Sequence, residues 1–246
     1  MAGSIVKRRL LARPRGQGRP PLRLGATARA LRRGRAMVWL GSLGSTKPIS
    51  PDFGYDRGTP VDRWYIERFL AMHRADITGR VIEIKDSGYT DRFGHATTER
   101  AVLDIDRDNP HATHVADLAV GDGLPDGAFD CFVLTQTLQC IFDVSGALAQ
   151  ARRILRPGGV LLATVPVSSR LCDLQTDSWR FTPLGFRRLL ADAFGAGNVS
   201  VEGHGNVLTQ VAFLEGLAAE DLTRAELADD DELFPLLVCA RAVRAG

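Results

Sequence analysis

Three acidic side chains stand where an α/β sheet would present them to a ligand. Glu83 lies one residue before the end of a β-branched run at 80–84, Asp104 near the end of a run at 101–105, and Asp117 within a short run at 114–118. A carboxylate offers paired acceptor oxygens and no donor. Asp104 is therefore suited to two ribose hydroxyls, and Asp117 to an adenine amino group or a backbone amide. Glu83 could equally cap a helix or fix a loop. Each acid alone says little, and their common placement is the signal. For an oxygen nucleophile a nearby base would help. His95 and His204 are the imidazoles that could supply one, and Asp62, Arg63, Tyr65, Trp179 and Arg180 are polar or aromatic groups that could line a ligand site. Arg57 and Arg63 could grip a phosphate or carboxylate, or pair with Asp56 and Asp62. Tyr65 and Trp179 also fit a core or a lid. No residue is singled out as catalytic. His111 and His114 form one H-x-x-H without an accompanying Cys or acid pair, so no metal site is expected.

The elements that must position these residues alternate. Pro60 predicts a helix start capped by Thr59, with Ile66, Phe69, Leu70 and His73 on one face. Strands are predicted at 80–84, 101–105, 114–118, 129–135, 160–165, 199–202 and 236–243. The run 129–135 is apolar on both faces, as a central parallel strand should be. Helices are predicted from Val144 to the Pro157-Gly158-Gly159 stop, at 183–194 behind Thr182, and at 207–217. Residues 85–99 read as a long loop with one helical turn, and the acidic run 226–232 as a solvated loop. The alternation predicts a doubly wound sheet with right-handed crossovers. Its ligands would lie at the carboxyl ends of the strands, near the switch point in strand order.

Charge is segregated along the chain. Of 31 Lys and Arg, 12 lie in residues 1–50, which hold no acid, so the rest carries 19 basic against 29 acidic groups. Residues 1–36 are expected to be a disordered basic tail, 37–58 a lead-in, and 59–246 the folded domain. The tail could be an arm for nucleic acid or an anionic membrane, a transit peptide, or a segment ahead of a true start at Met37. The tail has no aromatics to stack on bases and the domain is acidic, so a nucleic-acid partner is not expected. No apolar run approaches the ~20 residues of a membrane span. Four cysteines without a C-x-x-C pair suggest a reduced, cytoplasmic protein. No feature assigns an oligomeric state.

Phe129-Asp130, Leu138, the stretch Arg152-Arg153-Ile154-Leu155-Arg156-Pro157-Gly158-Gly159-Val160, and Pro166 together resemble class I S-adenosylmethionine-dependent methyltransferases. The similarity covers about residues 80–166. Asp56-Arg57-Gly58-Thr59-Pro60, Trp179-Arg180-Phe181-Thr182 and Gly205-Asn206-Val207 look like a bacterial subfamily whose members often occur beside or fused to glycosyltransferases. The resemblance implies a seven-stranded Rossmann-like sheet with an antiparallel last strand. It implies S-adenosyl-L-methionine as cofactor and a small-molecule or glycan acceptor. By position, Glu83, Lys85 and Gly88 belong to the first loop, Asp104 to ribose, Asp117 and Leu118 to adenine, and Gln136 to the methionine end. Family members carry E-x-G-x-G-x-G in the first loop. Here Lys85, Ser87 and Tyr89 replace the glycines, so the loop is expected either to take another path or to impair the site. A catalytically inactive binding or scaffold module of a glycosylation system is the alternative. The same loop argues against a nicotinamide enzyme, because no G-x-G-x-x-G follows the first strand.

Overall fold

The computed structural model describes residues 45–172 and 175–246. The expectations for the 1–36 tail and for Met37 lie outside these residues. Seven strands form one sheet: β1 (Gly79–Ile84), β2 (Thr97–Asp104), β3 (His114–Val115), β4 (Phe129–Thr135), β5 (Leu155–Pro166), β6 (Val199–His204) and β7 (Leu237–Val243). Their order is β3-β2-β1-β4-β5-β7-β6. All neighbours are parallel except β7, which runs antiparallel to both β5 and β6. The chain therefore starts in the middle of the sheet, works outward through β2 and β3, and returns to the other side of β1. The crevice between β1 and β4 is the switch point.

Helices cover both faces, which is why the central strands read as continuous apolar runs. On one face, α3 (Val144–Ile154) and α4 (Pro183–Phe194) pack Leu148, Ile154, Phe186 and Leu190 against Phe132, Leu134 and Leu161. On the other, α1 (Val61–Met72), α5 (Val207–Leu214) and α6 (Arg224–Ala228) close over Val81, Val133 and Leu162. A short α2 (Gly88–Phe93) follows β1, and is the helical turn expected in that loop. Thr182 caps α4 by accepting the Gly185 N–H at 3.1 Å. Gly159 lets β5 start tight against β4: a Cβ there would sit 3.0 Å from the Phe129 carbonyl oxygen.

Several local expectations change. Pro60 occupies the capping position of α1, and Thr59 instead bonds Glu220 through both its N–H and its hydroxyl. Strand β3 is two residues long, since Asp117 turns the chain by accepting the Ala119 N–H at 2.8 Å. The α3 helix ends at Ile154, because β5 already begins at Leu155. The acidic run is only partly a solvated loop. Thr223 and Glu226 form a capping box for α6, and Asp230 accepts from the Gly205 N–H at 2.7 Å. The lead-in, described from residue 45, packs with the domain: Ser50 is 2% exposed and donates its N–H to the Glu215 carbonyl.

Candidate active site

Three hollows meet at the carboxyl ends of the parallel strands. The first, about 400 Å³, lies outside β2 and β3 and is walled by Ile84, Asp104, Ile105, Asp117, Leu118, Ile141 and Phe142. The second, about 560 Å³, runs over the β1–β4 crevice past Glu83, Lys85, Gly88, Tyr89 and Gln136. The third is a smaller cavity of about 120 Å³ beyond Gln136, with Phe53, Tyr55, Asp62, Arg63, Gln139 and Phe213 among its walls. The first and second share Ile84 and Thr137, and the second and third share Tyr55, Arg63, Gln136 and Cys172. The hollows therefore adjoin along shared walls.

Each acid has a distinct local role. Asp104 ends β2. Its Oδ1 accepts the Asp106 N–H at 3.1 Å, and its Oδ2 accepts from Asn109 Nδ2 at 2.6 Å. These bonds orient the carboxylate at the wall of the first hollow while leaving lone pairs for a ligand. Asn109 also donates to the Lys85 carbonyl at 2.7 Å, tying the loops after β1 and β2 together. Glu83 is 3% exposed and turned to its own chain. One oxygen accepts the Tyr89 N–H at 3.0 Å, and the other accepts the Thr90 N–H at 2.8 Å and the Thr90 hydroxyl at 2.7 Å. Burial pushes its carboxyl up to about 7 against the effect of these bonds. Glu83 holds the first turn of α2, the loop-fixing role that its position also allowed.

The altered first loop opens in a conformation that favours glycine. Lys85 has φ +72° and Gln136 has φ +47°. These are the first residues after β1 and β4, on either side of the switch point. A left-handed backbone costs an L-residue roughly 1–2 kcal/mol, and such strain concentrates at functional sites. Lys85 thus makes, directly after β1, a left-handed turn that a glycine would make without strain. The Lys85 side chain is exposed and has no ion-pair partner among the described residues. Gly88 opens α2, its N–H bonded to Asp86 at 2.8 Å.

The acceptor-side expectations divide. Arg63 lines the second and third hollows and donates to the Tyr55 hydroxyl at 3.0 Å. Tyr65 does not reach them. It is 1% exposed in the core, its hydroxyl donating to the Leu227 carbonyl at 2.8 Å. Arg57 pairs with neither Asp56 nor Asp62 but, bidentately, with Asp221 on the surface. Arg180 is spent inside its own loop on Asp177 and three backbone carbonyls. Trp179 packs in a tilted arrangement against Phe142 at the rim of the first hollow, with ring centroids 5.6 Å apart. His95 precedes β2, at the opposite end of the sheet. His204 is buried against Tyr65 and bonded to Asp230 at 3.0 Å, away from the three hollows. No cluster of metal-ligating side chains occurs among the described residues.

Sequence reasoning singles out neither of two further site residues. Asn109 is one polar residue in a polar loop. Gln139 sits in the 3-10 turn Leu138–Cys140 and is 7% exposed. Its Nε2 is bonded to the Gln136 carbonyl at 2.8 Å, and its Oε1 is without a partner.

Residues 86–163 match the family model of the methyltransferase domain. A search of curated proteins finds no match. Among solved structures, a SAM-dependent methyltransferase from Archaeoglobus fulgidus is similar at 16% identity and a TM-score of 0.50, covering 74% of this chain and 94% of its own. Haemonchus contortus phosphoethanolamine N-methyltransferase 2, in complex with S-adenosyl-L-methionine, is similar at 14% identity and a TM-score of 0.50, covering 74% of this chain and 53% of its own. At these identities the two structures speak for the fold, which is the Rossmann-like fold of class I methyltransferases. The fold and the family match together support S-adenosylmethionine-dependent methyl transfer, with S-adenosylmethionine as the cofactor. The residues present fit that group: an oriented carboxylate and apolar walls in the first hollow, and an unpaired ammonium at the second. No described helix is long and apolar enough to cross a membrane.

Proposed function

We propose that this chain methylates a hydroxyl of a sugar or glycan precursor, with the cofactor held along the first two hollows and the acceptor in the third. The observation that carries this reading is the adjacency of the hollows across the β1–β4 switch point, with Gln136 shared by the second and third. The cofactor supplies an activated sulfonium methyl, so the protein mainly has to align a nucleophile with it. Asp104 would take the ribose hydroxyls, Asp117 and Leu118 the adenine, and Lys85 the methionine carboxylate. Asp62 is 8% exposed in the third cavity, and burial raises its carboxyl above the ordinary range against the pull of Arg63. A carboxylate so placed can take the proton of a hydroxyl as the methyl arrives. The unpartnered Gln139 Oε1 would accept from a neighbouring hydroxyl, and Phe53 and Phe213 would pack on the apolar face of the acceptor. Arg63 on the same wall disfavours an ammonium, which favours a neutral acceptor over a charged amine. The four free cysteines support a cytoplasmic location as part of this reading.

The test is calorimetric titration of the full chain and of Asp104→Ala with S-adenosylhomocysteine, followed by transfer of labelled methyl to a panel of nucleotide sugars and monosaccharides. Binding that falls at least tenfold in the variant, with label on a sugar, is expected. Loss of a hydrogen bond to a charged group, about 1.5–3 kcal/mol, corresponds to that range. Equal affinity in both proteins would refute the cofactor assignment. Label on amines alone would refute the acceptor.

A further inference from the structure

Two of the four cysteines are sealed in strands: Cys131 in β4 and Cys239 in β7 are 0% and 1% exposed. The other two meet. Cys140 Sγ lies 3.3 Å from Cys172 Sγ, although the residues are 32 positions apart. Cys140 closes the 3-10 turn after β4 and lines the first hollow, while Cys172 lies on the loop after β5 and lines the second and third.

The contact is built by its surroundings. The N–H groups of Ser178 and Trp179 donate to the Gln139 carbonyl at 2.8 and 3.1 Å, which hangs the loop on the residue next to Cys140. The Cys172 N–H donates to Asp177 Oδ2 at 2.8 Å. Arg180 grips Asp177 and also donates to the Ser169 and Arg170 carbonyls, so the loop folds around its own ion pair. Both thiols are held by backbone that is itself bonded in place.

We propose that Cys140 and Cys172 are a redox-active dithiol, a modification site whose disulfide pins the loop after β5 across the junction of the three hollows. A disulfide needs its sulfurs at about 2.05 Å, so closure from 3.3 Å asks for a movement of only roughly 1 Å. Burial, with Cys140 and Asp177 beside it, pushes the Cys172 thiol up to about 12. In the contact either thiol can donate to the other. Beside the exposed Cys172, the half-buried Cys140 on the wall of the open first hollow is the sulfur that meets a peroxide. Its thiolate attacks one peroxide oxygen: an S–O bond forms, the O–O bond breaks, and the departing hydroxide takes the thiol proton as water. The Cys172 sulfur then attacks Cys140. The S–S bond forms, the S–O bond breaks, and the hydroxyl leaves with the Cys172 proton as a second water. Two thiols are oxidised by two electrons, and one hydrogen peroxide is reduced to two waters.

The test uses the full chain with its natural cysteines, treated with stoichiometric hydrogen peroxide, and does not depend on the methyl-transfer reading. Peptide mapping is expected to show one crosslink that dithiothreitol removes, with fragmentation placing the bond at Cys140 rather than Cys131. Amide hydrogen exchange in the loop after β5 is expected to slow in the oxidised form. Cys172→Ser should stop at a Cys140 sulfenic acid that dimedone traps, and Cys140→Ser should leave Cys172 reduced. Independent over-oxidation of the two cysteines without a crosslink would overturn the proposal. So would a crosslink that leaves exchange in the loop unchanged.

Discussion

Glu83 makes the stability of this fold depend on pH in a direction opposite to that of an ordinary ion-paired acid. Its carboxyl is raised by burial from 4.5 to about 7 in the folded chain. Between those values the folded state binds a proton that the unfolded state releases. Stability from this group is thus fully present below the unfolded pKa and is lost as pH rises through about 7. The rise corresponds to roughly 3 kcal/mol at 1.36 kcal/mol per pKa unit, of which about 2.5 kcal/mol is lost between about pH 5 and pH 8. When protonated, the carboxyl can turn its O–H to the Thr90 hydroxyl oxygen, 2.7 Å away, and still accept the backbone N–H groups. Glu83→Gln isolates this effect. Glutamine stays neutral, but its –NH₂ cannot accept, so one buried N–H is left without a partner at a cost of about 1–3 kcal/mol. In urea denaturation at a series of pH values, wild type should exceed the variant by that amount near pH 5. The gap should then close by about 2.5 kcal/mol towards pH 8. All other titrating groups are common to both proteins and cancel. A gap that stays constant across the series, or widens with pH, would refute the reasoning.

Two further substitutions probe the strain and the core beside the site. Lys85→Gly should raise unfolding stability by about 0.5–1 kcal/mol, because relief of a left-handed lysine outweighs the added freedom of glycine in the unfolded chain; urea denaturation reads the sign. Tyr65→Phe leaves the Leu227 carbonyl unpaired in the core and should cost about 1–2 kcal/mol in the same assay. Calorimetry should find its affinity for S-adenosylhomocysteine within about twofold of wild type, as a single-site change away from the hollows implies.

Much of the architecture was legible because it rests on local chemistry. Strand β4 announced itself by apolar residues on both faces, and α4 by Thr182, Pro183 and a 3.6-residue stripe. The switch from strand to helix period along the chain already implied the doubly wound sheet. The acids Asp104 and Asp117 were found by position alone, since the ends of parallel strands gather on one edge. The turn that opens the first loop was not legible, because the sterics of an isolated lysine disfavour φ +72°. Packing of α2 under Glu83 and the bond from Asn109 hold that turn regardless.

What the sequence by itself determined is which segments are strands and helices, and which carboxylates stand at strand ends. Partners were decided only by the tertiary structure. Arg57 finds Asp221, Tyr65 finds Leu227, Asp104 finds Asn109, and Cys140 meets Cys172 across 32 residues. Periodicity reports which face of an element is buried, a property of a few neighbouring residues. The far end of a hydrogen bond depends on how whole layers pack, and a contact between distant segments leaves no mark on the spacing of either one.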